Sequence, residues 1–162
     1  MKIQIISVGK IGAAYLREGA EHYLRRLRPY AQVEWRQVDD EPAPARLSVG
    51  ERKQILEREG ARILDAVWPD SHVIALTRSG RPLNSEELAG YLNDLAIASD
   101  SRVTVIIGGT LGLSPAVLKR VHLPLSLSRM TFPHQMVPMI LTEQLYRAFR
   151  ILRGEPYHAP SR

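Results

Sequence analysis

The residues with most chemical potential lie together in the second half of the chain. Ile107-Gly108-Gly109-Thr110-Leu111-Gly112 follows an apolar, β-branched run and precedes Ser114-Pro115. Glycines after a strand let a ligand approach the backbone closely, and ligands of α/β folds sit at the carboxyl ends of strands. Two readings stand for this segment: a ligand cradle or a tight strand-to-helix turn. A dinucleotide fingerprint would need glycine where Ile107 stands and an acidic residue about 20 positions on, and Leu127 to Phe132 contains none. No Walker lysine follows the glycines either, so NAD and ATP fit poorly.

A second segment, Leu127-Ser128-Arg129-Met130-Thr131-Phe132-Pro133-His134, could hold a nucleoside through its main chain, with Met130 and Phe132 as apolar walls. Taken alone, the simpler reading is an ordinary connection whose Met and Phe pack into the core. The histidines are His22, His72, His122, His134 and His158, and none makes an HExxH pair or another metal-ligand spacing. His134 and His158 occupy irregular segments, where functional side chains concentrate. No G-x-S-x-G elbow is present, which removes the usual serine-hydrolase reading. Arg147, Arg150 and Arg153 recur along the last helix, with Arg162 beyond it. They could meet phosphates, or form a solvated face on which Glu143 pairs with Arg147 at i,i+4.

The elements that must position these residues alternate. Ile3 to Val8 reads as a strand ending at Gly9. A helix follows with Leu16, Ala20, Tyr23, Leu24 and Leu27 on one face, stopped by Pro29. Val33, Trp35 and Val38 point to a second strand, and Asp39 to Arg46 to a proline-bearing loop. Ser48 to Val67 reads as a helix whose apolar side carries Ile55, Leu56, Ile63, Leu64 and Val67, with Glu57, Arg58 and Arg62 on its wet side. Val73 to Leu76 is a buried-type strand, and Thr77 to Asn84 a loop with Gly80 and Pro82. Asn84 and Glu87 have capping-box spacing ahead of a helix reaching about Ala98. Val103 to Ile107 is the clearest strand. Ser114-Pro115 starts a short helix, Leu125 to Leu127 is a short strand, and a long helix runs from about Val137 to Arg153. Alternating helices and apolar strands predict an α/β fold with a parallel sheet covered on both faces. No repeat or linker divides it, so residues 1–162 are read as one domain.

Composition narrows the functions. The chain has 162 residues and no cysteine, which excludes disulfides, thiolate zinc sites and cysteine nucleophiles. A formal charge of +5 favours a polyanion partner, though a mildly basic enzyme with a small substrate is equally compatible. No segment has the length of a membrane span or the shape of a signal peptide, so a soluble, cytoplasmic protein without membrane association is expected.

In this order and spacing the segments resemble one family. They are Met1-Lys2-Ile3 to Val8-Gly9-Lys10, Tyr23 to Leu27, Glu57 to Leu64, Ile106 to Gly109, Gly112-Leu113-Ser114, Met130 to Gln135, Glu143 to Phe149 and Gly154 to His158. Essentially the whole chain is similar to the small SPOUT-class methyltransferases that methylate a pseudouridine at N3 in large-subunit ribosomal RNA. The resemblance implies a parallel-sheet SPOUT methyltransferase fold with a C-terminal trefoil knot, acting as a homodimer on ribosomal RNA in the large subunit or assembled ribosome. It implies S-adenosyl-L-methionine as methyl donor and no metal. Donor-binding positions carried onto this chain are Leu76, Gly108, Gly109, Leu127, Ser128, Arg129, Met130, Thr131 and Phe132. His134, Tyr157 and His158 are the candidate catalytic residues, with a histidine as base and Tyr157 as a positioning group. The tail after Gly154 is expected over the partner's donor site, and the apolar side of the last helix (Leu141, Leu145, Phe149) is compatible with burial in the dimer interface.

Three residues depart from the family's pattern. Pro138 stands where arginine is usual, Thr77 where an acidic residue is common, and Leu111 is more apolar than the glycine loop normally carries. Rival expectations are a knotted methyltransferase with another RNA target and a non-catalytic RNA-binding or ribosome-assembly protein.

Overall fold

The computed structural model describes residues 1–98 and 101–157. Its five strands are β1 (Lys2–Val8), β2 (Gln32–Val38), β3 (His72–Pro82), β4 (Arg102–Ile107) and β5 (Leu123–Ser126). Its helices are α1 (Ala14–Leu27), α2 (Val49–Ala66), α3 (Ser85–Ile97), α4 (Pro115–Arg120) and α5 (Val137–Leu152), with a 3-10 turn at His134–Met136. All paired strands are parallel, in the order β2-β1-β4-β3-β5. The α/β, parallel-sheet expectation is met.

Strand alternation feeds two cores. Ile3, Ile5, Ile74, Val103 and Val105 face α1, α3 and α5, meeting Leu27, Leu88, Leu92, Leu141 and Leu145. Ile6, Val8, Val73, Ala75 and Ile106 face α2 and α4, meeting Ile63, Ala66 and Val117. Sheets buried on both sides need strands apolar throughout, which is what these runs supply. The second face also buries a polar chain. Thr104 donates to Gln4 Oε1 at 3.0 Å, Gln4 Nε2 donates to the Ala66 carbonyl at 3.0 Å, and the Ser71 and Thr104 hydroxyls share a 2.7 Å hydrogen bond. Each member has partners, so burial leaves these groups satisfied.

The helix starts follow their caps. Ser48 with Glu51, and Asn84 with Glu87, both form complete capping boxes, satisfying amides that a helix leaves open. Ser114 caps α4 by accepting from the Val117 amide at 3.3 Å, with Pro115 in the first turn.

Two expectations need correction. The segment from Thr77 was read as a loop, but β3 continues to Pro82 after a register shift, with Arg81 opposite Leu125 and Pro82 opposite Ser126. A Cβ on Gly80 would stand 2.7 Å from the main-chain carbons of Pro124 and Leu125. Gly80 is therefore the point where two backbones close on each other, and not a turn residue. The apolar side of α5 is also not spare surface, because Leu141 and Leu145 are buried within the chain's own core. Phe149 is half-buried and stacked on Tyr30 at 6.0 Å. No described helix is long and apolar enough to cross a membrane.

Candidate methyl-donor and RNA site

The order of strands places a crevice at their carboxyl ends. From β1 the chain moves outward to β2, whereas from β4 it strides over β3 to reach β5. Such a reversal leaves room for a ligand between diverging connections. The segment after β5 then returns toward β1, where the Gly12 amide donates to Gln135 Oε1 at 3.1 Å. It thereby crosses the same strand ends that carry the glycine turn.

A cavity of about 940 Å³ opens there, walled by Leu76, Thr77, Ile107 to Leu113, Phe132, His134 and Val137, with Arg52 and Arg78 also on its lining. A smaller space of about 140 Å³ adjoins it, lined by Ser126 to Ser128, Met130, Thr131 and Phe132. The glycine turn is held shut by a bridge in which the Gly112 amide donates to the Gly109 carbonyl at 3.1 Å. Gly112 has φ +90°, and a Cβ on Gly108 would stand 2.8 Å from the Gly112 carbonyl oxygen. A tight turn and a bare backbone wall are thus both consequences of the glycines.

The second segment is shaped by its serines. Ser126 donates to the Ser128 carbonyl at 3.0 Å, and the Ser128 hydroxyl accepts from the Met130 amide at 2.9 Å. Met130 is 76% exposed and Phe132 40% exposed. The simpler expectation, that both pack into the core, is overturned. They are apolar groups left in the open beside the cavity.

Of the sequence-derived positions, Leu76, Gly108, Gly109, Phe132 and His134 line the main cavity. Leu127, Ser128, Met130 and Thr131 line its neighbour, and Arg129 is exposed without lining either. Tyr157 belongs to a different cluster beside α5. Its ring meets Tyr146 at 4.9 Å, its hydroxyl donates to Glu143 Oε1 at 3.2 Å, and Arg147 lies 4.8 Å over it. Burial, then hydrogen bonding with Tyr23, pushes the Tyr157 hydroxyl up to about 12, so it is a neutral donor near pH 7. His158 and Arg162 lie outside the described residues. Arg147 pairs with Glu143 as the spacing predicts, with Nε donating at 3.0 Å. Arg150 pairs with Glu155, and Arg153 donates to the Pro29 carbonyl at 3.3 Å. His72 hydrogen-bonds Tyr91 at 2.6 Å and stacks on His122 at 4.6 Å, at the opposite end of β3 from the cavity. Pro138 is buried in the first turn of α5, where its carbonyl accepts from Thr142 at 2.9 Å.

The sequence reading missed Glu59. It is only 5% exposed, on α2. Its Oε2 accepts from the Glu41 amide at 2.9 Å, and its Oε1 lies 3.2 Å from where a Cβ on Gly109 would be. Burial raises its pKa above the usual carboxylate value, against the opposing hydrogen bond from Glu41. A periodicity signal was available: Ile55, Glu59 and Ile63 fall at i, i+4 and i+8, inside the buried stripe.

The residues present fit S-adenosylmethionine. The Thr77 hydroxyl on the cavity wall is buried without a hydrogen-bond partner, and a buried polar atom left alone is a costly exception that a ligand hydroxyl or amine would relieve. Gly108 and Gly109 present main chain to the same space, and Leu76, Leu113 and Val137 give it apolar walls.

Comparison with known proteins agrees with this geometry. The family described as "Predicted SPOUT methyltransferase" matches residues 1–158. A protein of Carboxydothermus hydrogenoformans named "Ribosomal RNA large subunit methyltransferase H" is 51% identical over 158 residues, 98% of this chain and 99% of that protein. One of the same name from Listeria monocytogenes is 52% identical with the same coverage. Among solved structures, a probable methyltransferase from Bordetella pertussis superposes with a TM-score of 0.53 at 15% identity, over 91% of this chain and 95% of that one. A probable methylase family protein from Haemophilus influenzae gives 0.51 at 14% identity, over 98% of this chain and 70% of its own. At such identities these two speak for the fold. By sequence over nearly its whole length, this chain belongs to the SPOUT methyltransferase family.

Proposed function

We propose that the chain methylates ribosomal RNA of the large subunit, transferring the methyl group of S-adenosylmethionine to N3 of a pseudouridine on the assembled ribosome. The observation that carries this reading is the match at about half identity, end to end, to proteins named for large-subunit ribosomal RNA methylation. The glycine-walled cavity at the strand ends supports it.

When bound, the donor supplies an electrophilic sulfonium methyl. Leu76, Gly108, Gly109, Leu127, Ser128 and Met130 to Phe132 would hold it by main chain and apolar contact. Aligning it with the base contributes up to roughly 7–11 kcal/mol where orientation is good. The neutral imide N3–H is a poor nucleophile. His134, on the cavity wall, would take that proton as the N3–CH₃ bond forms and the S–CH₃ bond breaks, the sulfur leaving as a neutral thioether. Such base catalysis is worth about 10²–10⁴-fold. Tyr157 does not line the cavity of its own chain. The family resemblance is what favours a homodimer in which the tail after Gly154, with His158, reaches the partner's cavity. The return of the 127–136 segment toward β1 supports a trefoil knot in this part of the chain.

The test is transfer of labelled methyl from S-adenosylmethionine to ribosomes lacking the modification, with the nucleoside identified by mass spectrometry. N3-methylpseudouridine is the expected product, and His134→Ala is expected to slow turnover about 100-fold or more. Another methylated nucleoside would move the target. Full turnover in both His134→Ala and His158→Ala would place the base elsewhere.

A further inference from the structure

We infer that Arg52 and Arg78 form a two-sided clamp for the phosphates flanking the target nucleotide. The inference rests on the ribosomal RNA reading above and names how that substrate is held.

Arg52 comes from the first turns of α2 and Arg78 from the extension of β3, so two separate elements bring guanidinium groups to one cavity. Their neighbours show what the fold does with arginines it needs structurally. On α2 itself, Arg62 is bound to Glu41 at 2.6 Å and to the Asp39 carbonyl at 2.9 Å, and Arg58 stands 4.0 Å from Glu41. Arg120, Arg147 and Arg150 are likewise engaged by carbonyls or carboxylates. The side chains of Arg52 and Arg78 make no hydrogen bond or ion pair among the described residues, and both residues are exposed. Near the first turn of a helix a cation is on the unfavourable side of the helix dipole, so Arg52 gains nothing locally from its position.

The ligand chemistry follows from charge. The donor carries a sulfonium, an ammonium and one carboxylate, a net positive charge. Two guanidiniums beside it raise the positive charge of the cavity mouth, and the donor's single carboxylate cannot neutralise both. A polyanion can. Guanidinium forks match phosphate oxygens in geometry and charge, and phosphate contacts are what set the register of a nucleic acid on its protein. The main cavity, about 940 Å³, lies at the upper end of the roughly 300–1,000 Å³ typical for a single small ligand. That leaves room for a base beside the donor, with its flanking phosphates at the rim.

The test uses the full-length chain with Arg52→Gln, Arg78→Gln and, as charge-matched control, Lys2→Gln, since Lys2 opens β1 at the end of the sheet away from the cavity. Two binding constants are measured for each: for S-adenosylmethionine by calorimetry, and for purified ribosomes across a salt series. Each arginine variant is expected to bind ribosomes about tenfold more weakly. Each is expected to lower the slope of log K against log salt by about 0.7–0.9, with donor affinity within about twofold of wild type and the control unchanged. Loss of donor affinity with ribosome binding intact would make these residues carboxylate holders and overturn the clamp. Unchanged ribosome binding by variants of a wild type that methylates ribosomes would overturn the clamp and leave the ribosomal reading standing. A wild type that neither binds nor methylates ribosomes would take both down.

Discussion

Replacing Gly108 by alanine separates the glycine turn's structural work from its ligand work. The added Cβ would meet the Gly112 carbonyl oxygen at 2.8 Å, and both the Gly112 carbonyl carbon and Leu113 Cδ2 at 3.0 Å. Two of these three are backbone atoms, so side-chain rotation cannot relieve the contact. Relief requires the turn to open and the Gly112-to-Gly109 hydrogen bond, 3.1 Å long, to lengthen or break. Overpacking costs roughly 1–3 kcal/mol and a lost hydrogen bond about 0.5–1.5 kcal/mol, so about 2–4 kcal/mol is expected. A domain with typical stability of about 5–15 kcal/mol remains folded after that loss. If binding requires the closed turn, reclosing it against about 2 kcal/mol weakens the donor about 30-fold. Urea unfolding reads the first quantity and calorimetric titration with S-adenosylmethionine the second. Gly112→Ala is the informative companion: its Cβ has nothing within 4 Å, and its φ of +90° makes the cost one of backbone strain. Wild-type stability together with wild-type donor affinity in Gly108→Ala would refute the closed-turn argument.

Gly80→Ala drives a Cβ against the Pro124 and Leu125 main chain at 2.7 Å. It should cost at least about 3 kcal/mol, and amide exchange should rise around Leu125 and Ser126, where β3 and β5 part; an unchanged melting temperature would sink this. Glu59→Gln tests the buried carboxylate by its pH dependence. The folded pKa lies above the ordinary value of 4.5, so Glu59's stabilising contribution is present at low pH, when it is protonated, and is lost as pH rises through the folded pKa. Relative to wild type, Glu59→Gln should therefore gain stability as pH rises from below 4.5 through the raised folded pKa, and parallel stability curves would show that Glu59 is not strained by burial.

What the sequence disclosed and what it hid divide along the range of the interactions concerned. Capping at Ser48, Asn84 and Ser114 depends on residues three apart, and the structure forms each cap. Strands with apolar runs on both faces predicted a parallel sheet because burial on each side is written in consecutive residues. The continuation of β3 to Pro82 was hidden because it depends on β5, more than 40 residues later, and Gly80 and Pro82 carry local turn signals that pairing overrides. Glu59 was hidden by residue type: a glutamate between Arg58 and Gly60 reads as solvated, although its i,i+4 spacing from Ile55 and Ile63 placed it inside. Met130 and Phe132 erred the other way, since apolar residues are expected in the core and these two face the cavity region. The candidate donor positions came from resemblance and not from spacing, and in space most of them converge on two adjoining cavities.

Two faces of the sheet carry different duties. The α2–α4 face reaches the glycine turn through Glu59 and Gly60, whose Cβ would collide with Ser114; it sets the turn. The α1–α3–α5 face collects Tyr23, Tyr30, Tyr146, Tyr157 and four arginines that stack on them. Glu143 accepts from both Arg147 and Tyr157, and Glu155 from Tyr30, so the chain after α5 is tied back to its own helix before residue 158. Tyr157, half-buried and neutral near pH 7, is thereby held against α5 through Glu143 at 3.2 Å.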